Sequence, residues 1–118
     1  MLKANFITAQ EAAEKIQDGS TLCTIGMTLV SASESILKAI EKRFETVGHP
    51  ADITLVHSCG QSDRKDGIQH LAHEGLVKRI VGSHWGLQPR WMEMIANSQV
   101  EAYCLPQGQI AQLYRSMA

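Results

Sequence analysis

The strongest constraint on the fold is a series of short apolar runs. Each is stopped by a glycine or a polar loop and followed by a segment with helical spacing. In the second half the stops read Leu71-Ala72-His73-Glu74-Gly75-Leu76-Val77-Lys78-Arg79, then His84-Trp85-Gly86-Leu87-Gln88-Pro89, then Tyr103-Cys104-Leu105-Pro106-Gln107-Gly108. Strands that alternate with helices build a parallel sheet whose two faces the helices cover. Such a sheet offers its ligand-facing edge where the strands end, which is where these polar stops fall.

The rest of the chain follows the same rhythm. Thr8-Ala9-Gln10-Glu11 has the form of a capping box and predicts a helix that buries Ala12, Ala13 and Ile16, with Gly19 ending it in a left-handed conformation. Thr21 to Ile25 predicts a strand stopped by Gly26. Ser31-Ala32-Ser33-Glu34 is a second capping-box pattern, opening a helix whose Ile36, Leu37, Ile40 and Phe44 face the sheet until Gly48-His49-Pro50 breaks it. Ile53 to Val56 predicts the second strand, leading into a polar loop from His57 to Asp63. Ile68 to Gly75 reads as helical, and Val77 to Val81 as a third strand despite Lys78 and Arg79. Pro89 suits the first turn of a helix that buries Trp91, Met94 and Ile95. Val100 to Leu105 predicts the fourth strand, and Gln109 to Met117 a last helix. The expected class is α/β, an open, mostly parallel sheet with helices on both faces. No cap signal closes Arg115-Ser116-Met117-Ala118, so residues 1–118 are expected to be a domain cut short.

Composition narrows the function. A chain of 118 residues, 44% hydrophobic, is long enough for one domain with a real core. Its formal net charge of -1 provides no bulk field for nucleic acid or an anionic membrane, and Arg64-Lys65 and Lys78-Arg79 read as solvated faces. No apolar run approaches the roughly 18 residues of a membrane helix. The N-terminus lacks a signal-peptide pattern. Cys23, Cys59 and Cys104 form neither a CxxC pair nor an even framework, which suits a reducing compartment, so a cytoplasmic protein is expected.

Several constellations could carry chemistry. His70 and His73, three apart, could reach one metal. Their order is neither HExxH nor HxxEH, so they read as exposed helix histidines and no metal is expected. Cys59 and His57 could form a nucleophile–base pair, or Cys59 could be a small buried residue. Gly26-Met27-Thr28 follows the first strand, where backbone amides could hold an anion, although it lacks the dinucleotide and P-loop patterns. In Pro106-Gln107-Gly108, proline fixes the approach of the chain and glycine lets a ligand come close. Gln107 between them would present a carboxamide that both donates and accepts, suited to orienting a carboxylate or stabilising an oxyanion. An ordinary strand-to-helix turn would read the same way. His84-Trp85-Gly86 reads as a packed aromatic corner.

Taken in order, Asp63-Arg64 with Gly67, Leu71 to Arg79, His84-Trp85-Gly86 with Pro89-Arg90, and Ala102-Tyr103 through Pro106-Gln107-Gly108 resemble the amino-terminal part of a class I coenzyme A transferase. The resemblance runs from Thr8 to Arg115 and is closest to the fused acetate/propionate branch. It implies the open α/β layer shared by CoA transferases and sugar-phosphate isomerases. It also implies a ping-pong reaction through a glutamyl-CoA thioester, with acyl-CoA and a short-chain carboxylic acid as substrates and no permanently bound cofactor. Gln107, with Gly108, matches the family glutamine that helps hold the substrate carboxylate. Ser58 and His57 fall where related enzymes place polar residues after the second strand, and Gly26, Met27 and Thr28 fall on the first glycine-rich loop.

The family nucleophile is a glutamate in an E-x-G-x-x-G setting in the carboxyl-terminal half. Of eight glutamates here only Glu74 is closely followed by glycine, and Glu74-Gly75-Leu76 does not fit that setting. The resemblance thus implies a catalytic glutamate outside this chain and a missing carboxyl-terminal half or subunit as partner; strand edges and apolar surface left where that half would pack predict self-association, and a homo-oligomer is expected. Two other readings compete with it: a regulatory module of the same fold binding a small anionic metabolite, and a Cys59-dependent hydrolase.

Overall fold

The structure is a computed structural model and describes residues 4–118. Four strands, β1 (Thr21–Thr24), β2 (Ile53–His57), β3 (Val77–Gly82) and β4 (Glu101–Cys104), form one sheet in the order β1-β2-β3-β4 with every pair parallel. The helices are α1 (Ala9–Glu14), α2 (Glu34–Val47), α3 (Pro89–Ala96) and α4 (Gln107–Met117), and a 3-10 helix spans Gly67–Leu71. The expected α/β class is the one observed.

Register explains the layers. Leu22, Leu55, Ile80 and Ala102 are partners across the four strands. They meet a core built from Ala13, Leu37, Ile40, Ile68, Leu71, Trp91 and Met94, so α1, α2, the 3-10 helix and α3 share one face. Adjacent residues on a strand point to opposite faces. Val56, next to Leu55, is therefore buried on the other side, outside that core. Of the four helices, α4 is the one that leans on this second face: Ile110 is fully buried and the Tyr114 hydroxyl donates to the Thr24 carbonyl oxygen at 2.9 Å. Cys23, Arg79 and Tyr103 on the same face stay exposed. The second face is thus only partly covered.

The first capping box is present. Thr8 Oγ1 accepts from the Glu11 amide at 3.2 Å, and the Glu11 carboxylate accepts from the Thr8 amide at 2.7 Å. Gly19, however, does not end α1. The helix stops at Glu14, where Arg43 of α2 donates to the carbonyl oxygens of Ala13 and Ile16 at 2.8 and 2.9 Å. The first bond satisfies one of the helix's last acceptors and the second a carbonyl just beyond its end, and Gly19 serves its φ of 70° in the later turn into β1.

The second capping box does not form. α2 begins at Glu34 with Ser33 as N-cap and no side-chain cap bond, because the Glu34 carboxylate is drawn away to the Gly67 amide at 2.9 Å and to His70. The expected helix from Ile68 to Gly75 is only the 3-10 turn Gly67–Leu71 followed by a turn to Leu76. Among the described residues, no helix is long and apolar enough to cross a membrane.

Removing a fully buried branched side chain loses its transfer energy and leaves a cavity. Ile80→Ala at the sheet centre is expected to cost about 2–5 kcal/mol in urea unfolding, whereas Val47→Ala at the exposed end of α2 should stay within about 0.5 kcal/mol.

Candidate functional site

Three chain segments converge at the carboxyl edge of the sheet. β1 ends in the loop Gly26–Val30, β2 in Ser58–Cys59–Gly60, and β4 in Leu105–Pro106 before α4 opens at Gln107. The first two are joined directly. The Thr28 amide donates to the Gly60 carbonyl oxygen at 3.0 Å, and Ser58 Oγ donates to the Gly26 carbonyl oxygen at 3.3 Å. Gln61 Nε2 adds a bond to the Thr24 carbonyl oxygen at 2.9 Å. The third segment is joined through one contact, in which the Cys59 amide donates to Gln107 Oε1 at 2.8 Å.

That contact gives Gln107 a direction. Its carboxamide can donate and accept, but the acceptor is already engaged. Among the described residues no hydrogen bond engages Nε2. Gln107 is exposed, and a Cβ on Gly108 would meet nothing within 4 Å, so both positions border open space. An N–H pair held this way suits a carboxylate or oxyanion, as the sequence suggested for this turn.

The structure brings Gly26, Thr28, Ser58, Gln107 and Gly108 to one edge, but it distributes them unequally. Ser58 is buried, and its hydroxyl bridges Gly26 and Gln61. Met27 is 60% exposed at the tip of its loop, where it pairs with Val30. His57 is not on the surface at all. Its ring is fully buried beneath the loop, and a Cβ on Gly82 would lie 2.2 Å from its Nε2.

Both His57 nitrogens are committed. Nδ1 lies 3.1 Å from the Ser58 carbonyl oxygen and 3.0 Å from that of Cys59, and Nε2 accepts from the Trp85 indole at 3.0 Å. Burial holds its pKa below the ordinary value. No ring nitrogen is left to take a proton from the Cys59 thiol, which argues against the nucleophile–base reading of the pair. Of the expected packed corner His84-Trp85-Gly86, only Trp85 is partly buried against the core, with its indole as a donor, while His84 and Gly86 are exposed.

His70 and His73 also differ from the expected exposed pair. Their side chains are only 13% and 21% exposed. His70 is held between Glu41 at Nδ1, 2.5 Å away, and Glu34 at Nε2, 2.7 Å away. His73 meets the other Glu41 oxygen at 2.7 Å, with Arg90 beside it. These carboxylates come from α2, roughly thirty residues earlier, so no local spacing could reveal them. Glu34, Asp66 and His70 are close enough to share a cation, but the Lys38 ammonium already stands 3.1 Å from Glu34 and 3.6 Å from Asp66. The cluster reads as a charge network that anchors the 3-10 helix to α2.

Neither of two cavities is lined by Gln107. One of about 570 Å³ opens at the amino ends of β3 and β4, lined by Asp52, Gly75, Lys78 and Gln99. No loop from the carboxyl edge reaches it. A second, of about 320 Å³, lies between β1 and the start of α2 and borders the carboxyl edge through Thr24, Ile25 and Gln61. The geometry of donors, not cavity size, marks the candidate site.

Comparison with known proteins places the chain in a family. The family model described as Coenzyme A transferase matches residues 6–117. The chain is 36% identical over 116 residues to a caffeate CoA-transferase of Acetobacterium woodii, covering 98% of this chain and 22% of that protein. It is 34% identical over 114 residues to the acetate CoA-transferase YdiF of Escherichia coli strain K12, covering 95% and 22%. A crystal structure of the acyl-CoA transferase YdiF from E. coli O157:H7, in a thioester complex with CoA, superposes with a TM-score of 0.81 at 33% identity. That match covers 86% of this chain and 21% of the other. The chain spans about a fifth of the length of the curated relatives it matches.

The His70 network carries a pH signature. Burial opposes charge on His70, but its hydrogen bonds to Glu41 and Glu34 outweigh burial and raise its pKa above 6.5. A raised folded pKa stabilises fully below the unfolded value and loses that contribution as pH rises through the folded one. The stability difference between the chain and its His70→Gln variant should therefore be largest near about pH 6 and shrink toward about pH 9 in urea titrations. A difference that grows with pH would contradict the assignment.

Proposed function

Because this chain belongs to the coenzyme A transferase family, we propose that it forms the amino-terminal part of an enzyme that moves CoA between an acyl-CoA and a short-chain carboxylic acid. The acetate and caffeate named for its relatives support a carboxylic acid as acceptor. CoA is a substrate in this scheme, not a resident cofactor. The remaining four-fifths of the length seen in those relatives would provide the attacking glutamate.

The reaction proceeds by covalent catalysis. A glutamate carboxylate oxygen attacks the thioester carbonyl carbon, and the C–S bond breaks to give an acyl-glutamyl anhydride and CoA thiolate. The thiolate then attacks the glutamyl carbonyl, releasing the first carboxylate and leaving a glutamyl-CoA thioester. The second carboxylate reverses these steps and departs as its own CoA thioester. Each attack places negative charge on a tetrahedral oxygen, which needs a donor already in place.

The observation that carries this reading is the fixed Gln107 carboxamide. With Oε1 on the Cys59 amide, Nε2 is a pre-oriented donor for the substrate carboxylate at the edge where the loops of β1 and β2 meet. Gly26 and Thr28 shape the wall beside it, and Ser58 holds that wall together from below.

In the full-length transferase, Gln107→Ala is expected to lower kcat by about 10²-fold, the usual effect of losing one such donor. Steady-state acyl transfer from acetyl-CoA checks this, and an unchanged rate would remove Gln107 from the mechanism. Thermal unfolding separates the regulatory alternative: stabilisation by sugar phosphates, with none by CoA or acetyl-CoA, would favour a metabolite-sensing module.

A further inference from the structure

We propose that Trp85 and His57 are positioning residues that aim the Gln107 carboxamide through the Cys59 backbone amide. The inference rests on the reading of Gln107 as the ligand-facing donor, and it assigns a role to two side chains that lie beneath that donor's loop.

The argument begins at the indole. Tryptophan Nε1–H can only donate, so His57 Nε2, 3.0 Å away, must carry a lone pair. The single ring proton is thereby placed on Nδ1. It is shared between the carbonyl oxygens of Ser58 and Cys59, at 3.1 and 3.0 Å. Pinning two successive carbonyls to one N–H bends the chain sharply, and Cys59 takes a φ of 34°, a region that side chains other than glycine seldom occupy.

Peptide planarity carries the constraint onward. The Ser58 carbonyl and the Cys59 N–H belong to one rigid plane and point in opposite directions. When the carbonyl turns inward to His57, the N–H must turn outward, where it meets Gln107 Oε1 at 2.8 Å. Nε2 of Gln107 is then the end left for ligand. Reversing the Ser58–Cys59 plane would present an acceptor to Gln107, flip its amide, and turn Oε1 toward a substrate carboxylate.

Packing keeps the relay in register. The His57 ring lies against Gly82, where a Cβ would come within 2.2 Å of Nε2. Gly82 is itself fixed by the Leu105 amide, which donates to its carbonyl oxygen at 2.9 Å just before Gln107. In the loop that bears Cys59, a Cβ on Gly60 would meet the His84 ring at 2.6 Å, so the backbone there lies close against that side chain. Burial favours neutral His57, the state the relay needs.

Nuclear magnetic resonance on this chain tests the relay without requiring turnover. Nitrogen-15 histidine spectra should show His57 as the Nδ1–H tautomer with a bare Nε2. Trp85→Phe keeps an aromatic ring but removes the donor. It should mix the His57 tautomers and cost the Cys59 amide its protection from hydrogen exchange, while the Ile80 amide in the sheet centre stays protected.

A second pair of variants decides the matter even if Trp85→Phe does not fold. His57→Asn retains a donor near the Nδ1 position and should preserve Cys59 protection, whereas His57→Leu fills similar space without a donor and should lose it. An Nε2–H tautomer, or equal Cys59 protection in the Asn and Leu variants, would overturn the relay. Loss of the relay with Gln107→Ala still impairing full-length turnover would leave the functional reading standing. An intact relay with no effect of Gln107→Ala would remove the functional reading instead.

Discussion

All else in this molecule depends on the parallel pairing of its four strands. In a parallel sheet every strand delivers its chain to the same edge, so loops distant in sequence are forced together there. Ser58 and Gln107 are separated by 49 positions, yet one bond from the Cys59 amide to the Gln107 carboxamide joins their segments, because β2 and β4 end at the same edge. The register that stacks Leu55 on Ile80 for the core is the same register that brings His57 over Gly82. Stability and site geometry are set by one alignment of strands.

The edge is held by polar contacts that consume most of its hydrogen-bonding capacity. Gly60, Thr28, Ser58, Gly26 and Gln61 satisfy one another, and His57 satisfies the carbonyls beneath. A preorganised site needs such closure, since a loose donor loses its advantage through reorganisation. Two groups stand outside this closure, the buried Thr24 hydroxyl, which has no partner among the described residues, and the exposed Nε2 of Gln107. The charge network of Glu34, Glu41, His70 and Arg90 serves a related purpose from the side, where Glu34 holds the Gly67 amide and so fixes the end of the loop that begins at Ser58.

Much of this was legible in the sequence. Strand cores and helix stripes follow from periodicity, so Leu55, Ile80, Ile40 and Trp91 were readable as interior positions. The capping box at Thr8 was readable because both its members lie within one turn. The one at Ser31 was not, because Glu34 has a competing partner at Gly67, 33 residues away. Gln107 was identifiable from its setting between proline and glycine, but the contact that orients it uses the backbone of Cys59, which no side-chain motif records. His57 was misplaced for the same reason. A histidine at the end of a strand reads as a ligand contact until Gly82 and Trp85 are seen to enclose it.

The central claim is that Gln107 meets the substrate through Nε2 while Oε1 remains on the Cys59 amide. A crystal structure of the full-length transferase with a bound carboxylic acid measures this directly. The account predicts a carboxylate oxygen within about 3 Å of Gln107 Nε2, with the bond from Cys59 to Oε1 retained. A carboxylate bound away from Gln107, or a carboxamide that has abandoned Cys59 to present the opposite end, would contradict it.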